Sequence, residues 1–242
     1  MHFVYGNWLK ITGMVLLVYI IKMLLGTMPI SGTMIIRFDP LSVLTSRTLM
    51  SLLAGALVNS ILFFIMIDYI TRSEQTMSKR FQRACTYPFR HPQLLFKGFF
   101  VLFITYLFIQ MISLMSIYSV LGTLFMIAAD INVRLMMVFV AFVSLFALFI
   151  WLFLGLSQVL YILYDDPKKG TFRSMKESFS IMKGHRWALF GFFLLTGVAF
   201  ILGFVLFLIG AIVSLVIFEV ARLAFYRDLL RKKRQKEWLE KV

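Results

Sequence analysis

Cysteine and histidine are scarce in this chain, which argues against disulfide-linked and metal-binding proteins. The single cysteine, Cys85, cannot form an internal disulfide or, by itself, a thiolate metal site. The three histidines (His2, His91 and His185) stand singly, whereas a metal centre needs clustered ligands. The sequence also lacks a glycine-rich phosphate loop, a His-Glu-x-x-His motif and a Gly-x-Ser-x-Gly motif. We therefore predict no cofactor, no metal site and no enzymatic activity.

Apolar residues, in contrast, make up 61% of the 242 residues, and phenylalanine alone has 27 copies. A soluble domain holds about 45–50% apolar residues, and one of this size could not bury so much apolar surface. Lipid is the natural solvent for such a chain. The composition therefore predicts an integral membrane protein.

Six apolar runs are long enough to cross a bilayer, which takes about 20 residues per helix. None contains a proline, because all five prolines fall in the predicted connections. We predict an all-α polytopic bundle in a single domain, 1–242, that ends in a basic tail, 227–242. The predicted spans are about 8–28, 49–70, 98–120, 137–163, 187–208 and 210–226.

Lysine and arginine are distributed unevenly between these spans. Connections 72–97 and 165–186 carry six each, and the chain from Arg222 onward carries eight, whereas the remaining connections carry three. By the positive-inside rule the basic group is cytoplasmic, which places both termini inside a bacterial cytoplasmic membrane. We attribute the net charge of +14 to this topology and to anionic lipid headgroups, not to nucleic acid.

The spans are predicted to form three related hairpins. Segments 90–100 and 184–193 each have a basic, histidine-containing turn followed by Leu-Phe, Gly and Phe-Phe. Gly6-Asn7-Trp8 stands in the corresponding place before the first span. Repeats of the same orientation are a known membrane architecture.

The basic connections have the pattern of amphipathic helices. In the second, Asp166 is a predicted helix cap with Pro167 at the first helical position. Such a helix either lies in the membrane interface or covers the inner mouth of the bundle. Its apolar stripe is Phe172, Met175, Phe179 and Met182. The basic side chains predicted to contact anionic headgroups or a membrane protein partner are Lys79, Arg80, Arg83, Arg173, Lys176, Lys183, Arg231, Lys232, Lys233 and Arg234.

Two charged residues fall deep within predicted spans, where charge is costly and usually functional. Glu219 lies near the midplane, and Lys22 lies at a depth that differs by about 5 Å at 1.5 Å of helix rise per residue. We predict a Glu219–Lys22 pair inside the bundle. The alternative is that Lys22 extends outward and Glu219 pairs with Arg222, three residues on.

Three amides also fall within the spans, at Asn59, Gln110 and Gln158. They either line a polar path or serve as hydrogen bonds between helices, which is their commoner role. Asp68, near an inner end, is expected to meet Arg72, four residues later.

The stretch 166–230 resembles the bacterial domain-of-unknown-function 975 family of six-span membrane proteins. The shared elements are Ser174-x-x-x-Ser178, Met182 to Trp187, Leu189-Phe190, Leu208-Ile209-Gly210 and Ala224-Phe225-Tyr226-x-Asp228-Leu229. The chain reads Phe218-Glu219 where family members tend to have Pro-Tyr, so it is identified as a divergent member. The resemblance implies a fold and a location, and no established activity.

These features favour non-enzymatic binding or transport of a lipid or small amphipathic molecule, or an accessory role beside an envelope transporter. The alternative is a scaffolding membrane subunit that recruits a partner through its basic cytoplasmic segments.

Overall fold

The computed structural model describes residues 8–25, 46–71, 77–124, 131–205 and 209–239, and the regular structure in these ranges is helical. The helices are α1 (Trp8–Leu24), α2 (Ser46–Thr71), α3 (Met77–Arg90), α4 (Pro92–Leu124), α5 (Ile131–Leu156), α6 (Val159–Asp165), α7 (Thr171–Met182), α8 (Arg186–Val205) and α9 (Ile209–Leu239).

Four segments of the described chain are long and apolar enough to cross a membrane. They are Leu49–Thr71, Pro92–Ser116, Ile131–Asp165 and Arg186–Gly203. The described part of the chain thus has the helices of a membrane protein. The predicted first and sixth spans correspond to α1, which has 17 residues, and α9, which carries Glu219 and Arg222. Those two are not among the four, so a total of six spans stays a prediction.

The six long helices form a closed ring of neighbours. Helix α1 packs against α2 and α9, α4 packs against α2 and α5, and α8 packs against α5 and α9. The two helices of each predicted hairpin are therefore in contact. Whether the hairpins are related as repeats stays a prediction.

Helix α6 is buried at one end of this ring, with each of the residues Val159 to Leu163 inside the core. A helix that is apolar on all sides is stable only when it is enclosed. The ring of Tyr161 stacks on Tyr226 at 5.2 Å and meets the edge of Phe63 at 5.1 Å. Helix α6 thereby links α2 to α9.

Helices α3 and α7 lie at the same end of the ring. Helix α3 contacts α2 and α4, and α7 contacts α5, α6 and α9. Hydrogen bonds join Tyr164 to Asp68 (2.9 Å) and Tyr226 to Asp165 (2.8 Å) there. We call this the basic end, because the positively charged connections meet at it. Arg72, the predicted partner of Asp68, lies outside the described residues.

The second basic connection does form a helix, but its predicted start is wrong. Helix α7 begins at Thr171 with Gly170 as its N-cap, whereas the Asp166 carboxylate accepts the backbone N–H of Lys168 at 3.2 Å in a turn. The helix ends before Gly184, whose φ of +84° suits glycine, since it has no Cβ.

The predicted apolar stripe of α7 matches its buried face in part, since Met182 is fully buried and Met175 packs against the core. Phe172 is 72% exposed, and the buried side chains of α7 are Ser174, Ser178, Ile181 and Met182. Small hydroxyl side chains face the bundle because α7 packs closely against the backbone of α5, as the site below shows.

The outer parts of the ring are poorly covered by the chain itself. In the span Ile131–Asp165, only 6% of the most apolar window is buried. Exposed apolar side chains there include Met136, Phe139 and Phe142. Such a surface needs lipid or another protein around it.

Candidate functional site

The predicted fourth span, 137–163, is not one continuous helix. Helix α5 ends at Leu156 and α6 begins at Val159, so that Ser157 and Gln158 form a turn inside the apolar segment. Because Ser157 and Gln158 are buried, water cannot reach the carbonyls that the break leaves free, and protein groups must satisfy them.

Side chains from two other helices supply these hydrogen bonds. The Ser178 hydroxyl of α7 donates to the carbonyl of Gly155 at 2.6 Å. The Arg222 guanidinium of α9 donates to the carbonyl of Ser157 at 2.9 Å. The Ser157 hydroxyl donates to the carbonyl of Leu154 at 2.7 Å. Side chains of α7 and α9 therefore stabilise the break.

Gly155 permits this close packing. A Cβ atom built there would lie 2.7 Å from Cδ1 of Phe179, so any larger residue would displace the Phe179 ring. The ring of Phe179 also lies against Trp151 of α5, with ring centroids 5.3 Å apart.

A group of charged and phenolic side chains lies beside the break. Glu219 is 4% exposed, and the Tyr19 hydroxyl donates to its Oε1 at 2.6 Å. The Lys22 ammonium lies 5.3 Å from the Tyr19 ring centroid, and the Arg222 guanidinium lies 5.4 Å from that of Tyr161. We call these five residues the charged cluster. It contains two cations and one carboxylate, held by α1, α6 and α9.

Sequence analysis predicted two partners for Glu219, Lys22 and Arg222, and both belong to this cluster. Lys22 and Glu219 do lie on adjacent helices, near enough to interact electrostatically, and Tyr19 lies between them by its contacts with both. Arg222 also interacts electrostatically with Glu219, although its guanidinium donates its hydrogen bond to the Ser157 carbonyl. Sequence reasoning missed Tyr19, whose only signal is its position three residues before Lys22 on one helix face.

Three polar atoms at this site have no hydrogen-bond partner within the described part of the chain. They are Oε2 of Glu219, Oε1 of Gln158 and Nε of Arg222. Buried polar atoms in proteins are nearly always hydrogen-bonded, either to protein or to an ordered molecule. Two acceptors and one donor at the broken helix and the charged cluster thus have no hydrogen bond to the described residues.

The predicted amides lie in different places. Gln158 is fully buried in the break and donates to the Ser157 hydroxyl at 3.1 Å. Asn59 donates to the carbonyl of Gly55 at 3.0 Å and hydrogen-bonds with Tyr106, which joins α2 to α4. Gln110 is half-buried on α4. Of these three amides, only Gln158 lies beside the charged cluster, because it contacts Ser157, which accepts a hydrogen bond from Arg222.

Most of the predicted basic contact residues lie on the surface of the basic end. The exposed ones are Lys79, Arg173, Lys176, Lys183, Arg231, Lys232 and Arg234, and Arg83 is half-buried. Arg80 differs, since it is 2% exposed and donates from Nε to the carbonyl of Tyr69 at 2.7 Å. Its guanidinium also stacks over the Tyr69 ring at 4.4 Å, so Arg80 fastens α3 to α2.

Lys233 is also engaged within the protein. Its ammonium donates to Oε1 of Glu177 at 2.7 Å, and Lys169 forms an ion pair with the other carboxylate oxygen. Burial alone would raise the pKa of Glu177, but the hydrogen bonds from the two lysines outweigh it and hold that pKa below its usual value of 4.5. This Glu177 clasp fastens the end of α9 to α7.

The ring, the broken helix and the charged cluster define a helical membrane protein with ionisable side chains buried between its helices. The family model described as Protein of unknown function (DUF975) matches residues 3–233, and the chain belongs to that family. The resemblance found in residues 166–230 is thereby confirmed and extends over nearly the whole chain. A search of curated proteins and a search of solved structures each gave no match.

Proposed function

We propose that the protein is a six-span protein of the bacterial cytoplasmic membrane, and that it binds or moves a lipid or small amphipathic molecule without catalysing a reaction. The closed ring of α1, α2, α4, α5, α8 and α9 supports the six spans. The exposed lysines and arginines at the basic end support a cytoplasmic placement of that end and of both termini.

The charged cluster beside the broken helix is the observation that carries this proposal. Ionisable side chains at membrane depth are costly and usually mark a substrate or ion pathway. Discontinuous helices form the binding sites of several membrane transporters, because their free backbone groups and helix ends can face a ligand. Here the polar group of an amphipathic molecule would accept from Nε of Arg222 and donate to Oε2 of Glu219 or Oε1 of Gln158.

Substitution of Glu219 tests this function. Glu219→Gln keeps an oxygen that can accept the Tyr19 hydroxyl but removes the charge. We expect it to abolish complementation of a deletion strain, whereas Asp228→Asn, an exposed change on the same helix, should complement fully. Both proteins should elute as single species in size-exclusion chromatography. Full complementation by Glu219→Gln and by Lys22→Met would refute the polar-site proposal.

Affinity purification in mild detergent, followed by mass spectrometry of bound lipids and proteins, identifies what the protein carries. A bound lipid or small molecule that is enriched in the wild type and lost in Glu219→Gln would support a self-sufficient carrier. A stoichiometric transporter subunit would instead support the accessory version of the proposal.

Recruitment of a partner is the second candidate, because helix α9 continues to Leu239 with Arg231, Arg234 and Trp238 exposed. If this surface recruits a partner, the double change Arg231→Gln and Arg234→Gln should abolish co-purification. Gln82→Ala, an exposed uncharged change on α3, is the control. Unchanged co-purification of the double variant would count against the scaffold.

A further inference from the structure

An apolar groove with a volume of about 520 Å³ lies between α2 and α4, and no residue of the charged cluster lines it. Its walls include Met50, Ala54 and Leu57 of α2 and Pro92, Phe96 and Phe99 of α4, and every lining residue is apolar. Met50 and Phe96 are 67% and 68% exposed, so the groove opens to the outside of the bundle. Its volume is in the range of ordinary ligand sites.

Beside the groove, α2 and α4 are in close contact. A Cβ atom at Gly98 would lie 2.6 Å from the Ser60 hydroxyl and 2.8 Å from Cζ of Phe64. The Ser60 hydroxyl also donates to the carbonyl of Leu95 at 3.4 Å. The two helices are therefore held together at this contact, while Ala54 contributes only a methyl group to the groove wall.

One end of the groove lies next to a basic stretch of the chain. Pro92 lines it and directly follows Arg90 and His91, whose side chains are both exposed. Helix α3, which leads to this point, contains lysine and arginine but no acidic residue. A molecule that matches this surface has an anionic head and an extended apolar tail.

We propose that the groove binds an acyl chain of an anionic phospholipid, with the net negative headgroup at Arg90. The inference rests on the proposed placement of the basic end at the cytoplasmic surface, where such lipids face the protein. The charged cluster plays no part in it. A protein segment is the alternative occupant. It would find no side-chain hydrogen-bond partner in the groove, because every lining residue is apolar.

The test is native mass spectrometry of the full chain released from bilayers with equal amounts of phosphatidylglycerol and phosphatidylcholine. We expect the wild type to retain phosphatidylglycerol in preference to phosphatidylcholine. Ala54→Phe fills the groove and should remove the retained lipid, whereas Ala147→Phe, on an exposed face of α5, should not. Size-exclusion chromatography verifies that both variants remain folded.

Substitution at Arg90 tests the headgroup contact at a site where folding is not at risk. Arg90→Gln should reduce the preference for phosphatidylglycerol about fivefold, the effect of one cation near an anionic headgroup. Lys168→Gln, an exposed change in the turn before α7, should preserve it. Equal retention of the two lipids by the wild type, or equal retention by Ala54→Phe and Ala147→Phe, would overturn the proposal. Glu219→Gln should leave this lipid bound. Loss of lipid retention therefore reports on the groove, and loss of complementation reports on the proposed function.

Discussion

The Tyr19 hydroxyl of α1 donates a hydrogen bond of 2.6 Å to the Glu219 carboxylate of α9, across 200 residues of sequence. This bond joins the first and last described helices and so closes the ring. It also fixes one oxygen of Glu219, while the other has no hydrogen-bond partner among the described residues. Structural and functional roles of Glu219 can therefore be separated by changing Tyr19.

Tyr19→Phe removes the donor and retains the ring. We expect it to lower the free energy of unfolding by about 1–2 kcal/mol, the usual range for hydrogen bonds between membrane helices in model systems. Thermal unfolding in detergent measures the loss. Tyr118→Phe, at an exposed position on α4, is the matched control and should be neutral. Equal stability of the two variants would show that the Tyr19–Glu219 bond does not hold α1 to α9.

Ser178→Ala should destabilise the protein by about 1–3 kcal/mol, because it leaves the Gly155 carbonyl at the helix break without its donor. Ser180→Ala, an exposed change on the same helix, should have little effect. Unfolding in mixed detergent micelles, followed by circular dichroism, compares the two. A neutral Ser178→Ala would mean that the broken helix does not depend on α7.

Gly203→Ala tests the closest approach of α8 and α9. Its Cβ would lie 2.6 Å from the Gly210 carbonyl oxygen, and backbone atoms cannot move aside as a flexible side chain can. We expect a loss of about 1–3 kcal/mol from overpacking. Gly197→Ala, on the same helix with no atom within 4 Å of the added Cβ, should be neutral or stabilising because alanine favours helix. Equal thermal midpoints for the two variants would contradict the close contact.

The Glu177 clasp should make the end of α9 sensitive to acid. Because the folded protein lowers the pKa of Glu177, the clasp stabilises fully above the usual pKa of 4.5 and is lost as the pH falls through the lowered value. Hydrogen exchange of residues 227–239, corrected for the intrinsic effect of pH, should increase over that interval. Glu177→Gln should exchange fast throughout, and Asp228→Asn should keep the pH dependence. Identical profiles for Glu177→Gln and the wild type would exclude the clasp.

Apolar run length predicted the spanning helices well. The expected spans 49–70 and 187–208 correspond to α2 (Ser46–Thr71) and α8 (Arg186–Val205). Hydrocarbon thickness sets a minimum length, so composition alone locates such helices. Helix α4 begins at Pro92, six residues before the expected start, because proline at a first helical position lacks only an N–H that would have no partner there.

The helix break could not be predicted in the same way. Ser157 and Gln158 interrupt the apolar run only weakly, and the groups that stabilise the turn, Ser178 and Arg222, are distant in sequence. Depth along each helix placed Lys22 and Glu219 at similar levels. It could not show that α1 and α9 are neighbours, because packing order is a property of the assembled ring.

The closing contact of the ring also sets an order of events during synthesis. Tyr19 is made 200 residues before Glu219, a delay of roughly 10–40 s at translation rates of about 5–20 residues per second. Throughout that interval the Tyr19 phenol lacks the carboxylate that later accepts its hydrogen bond, and the Lys22 ammonium lacks the same electrostatic partner. A nascent chain that stops before α9 therefore carries these two polar groups without their carboxylate partner, and only the finished chain supplies it.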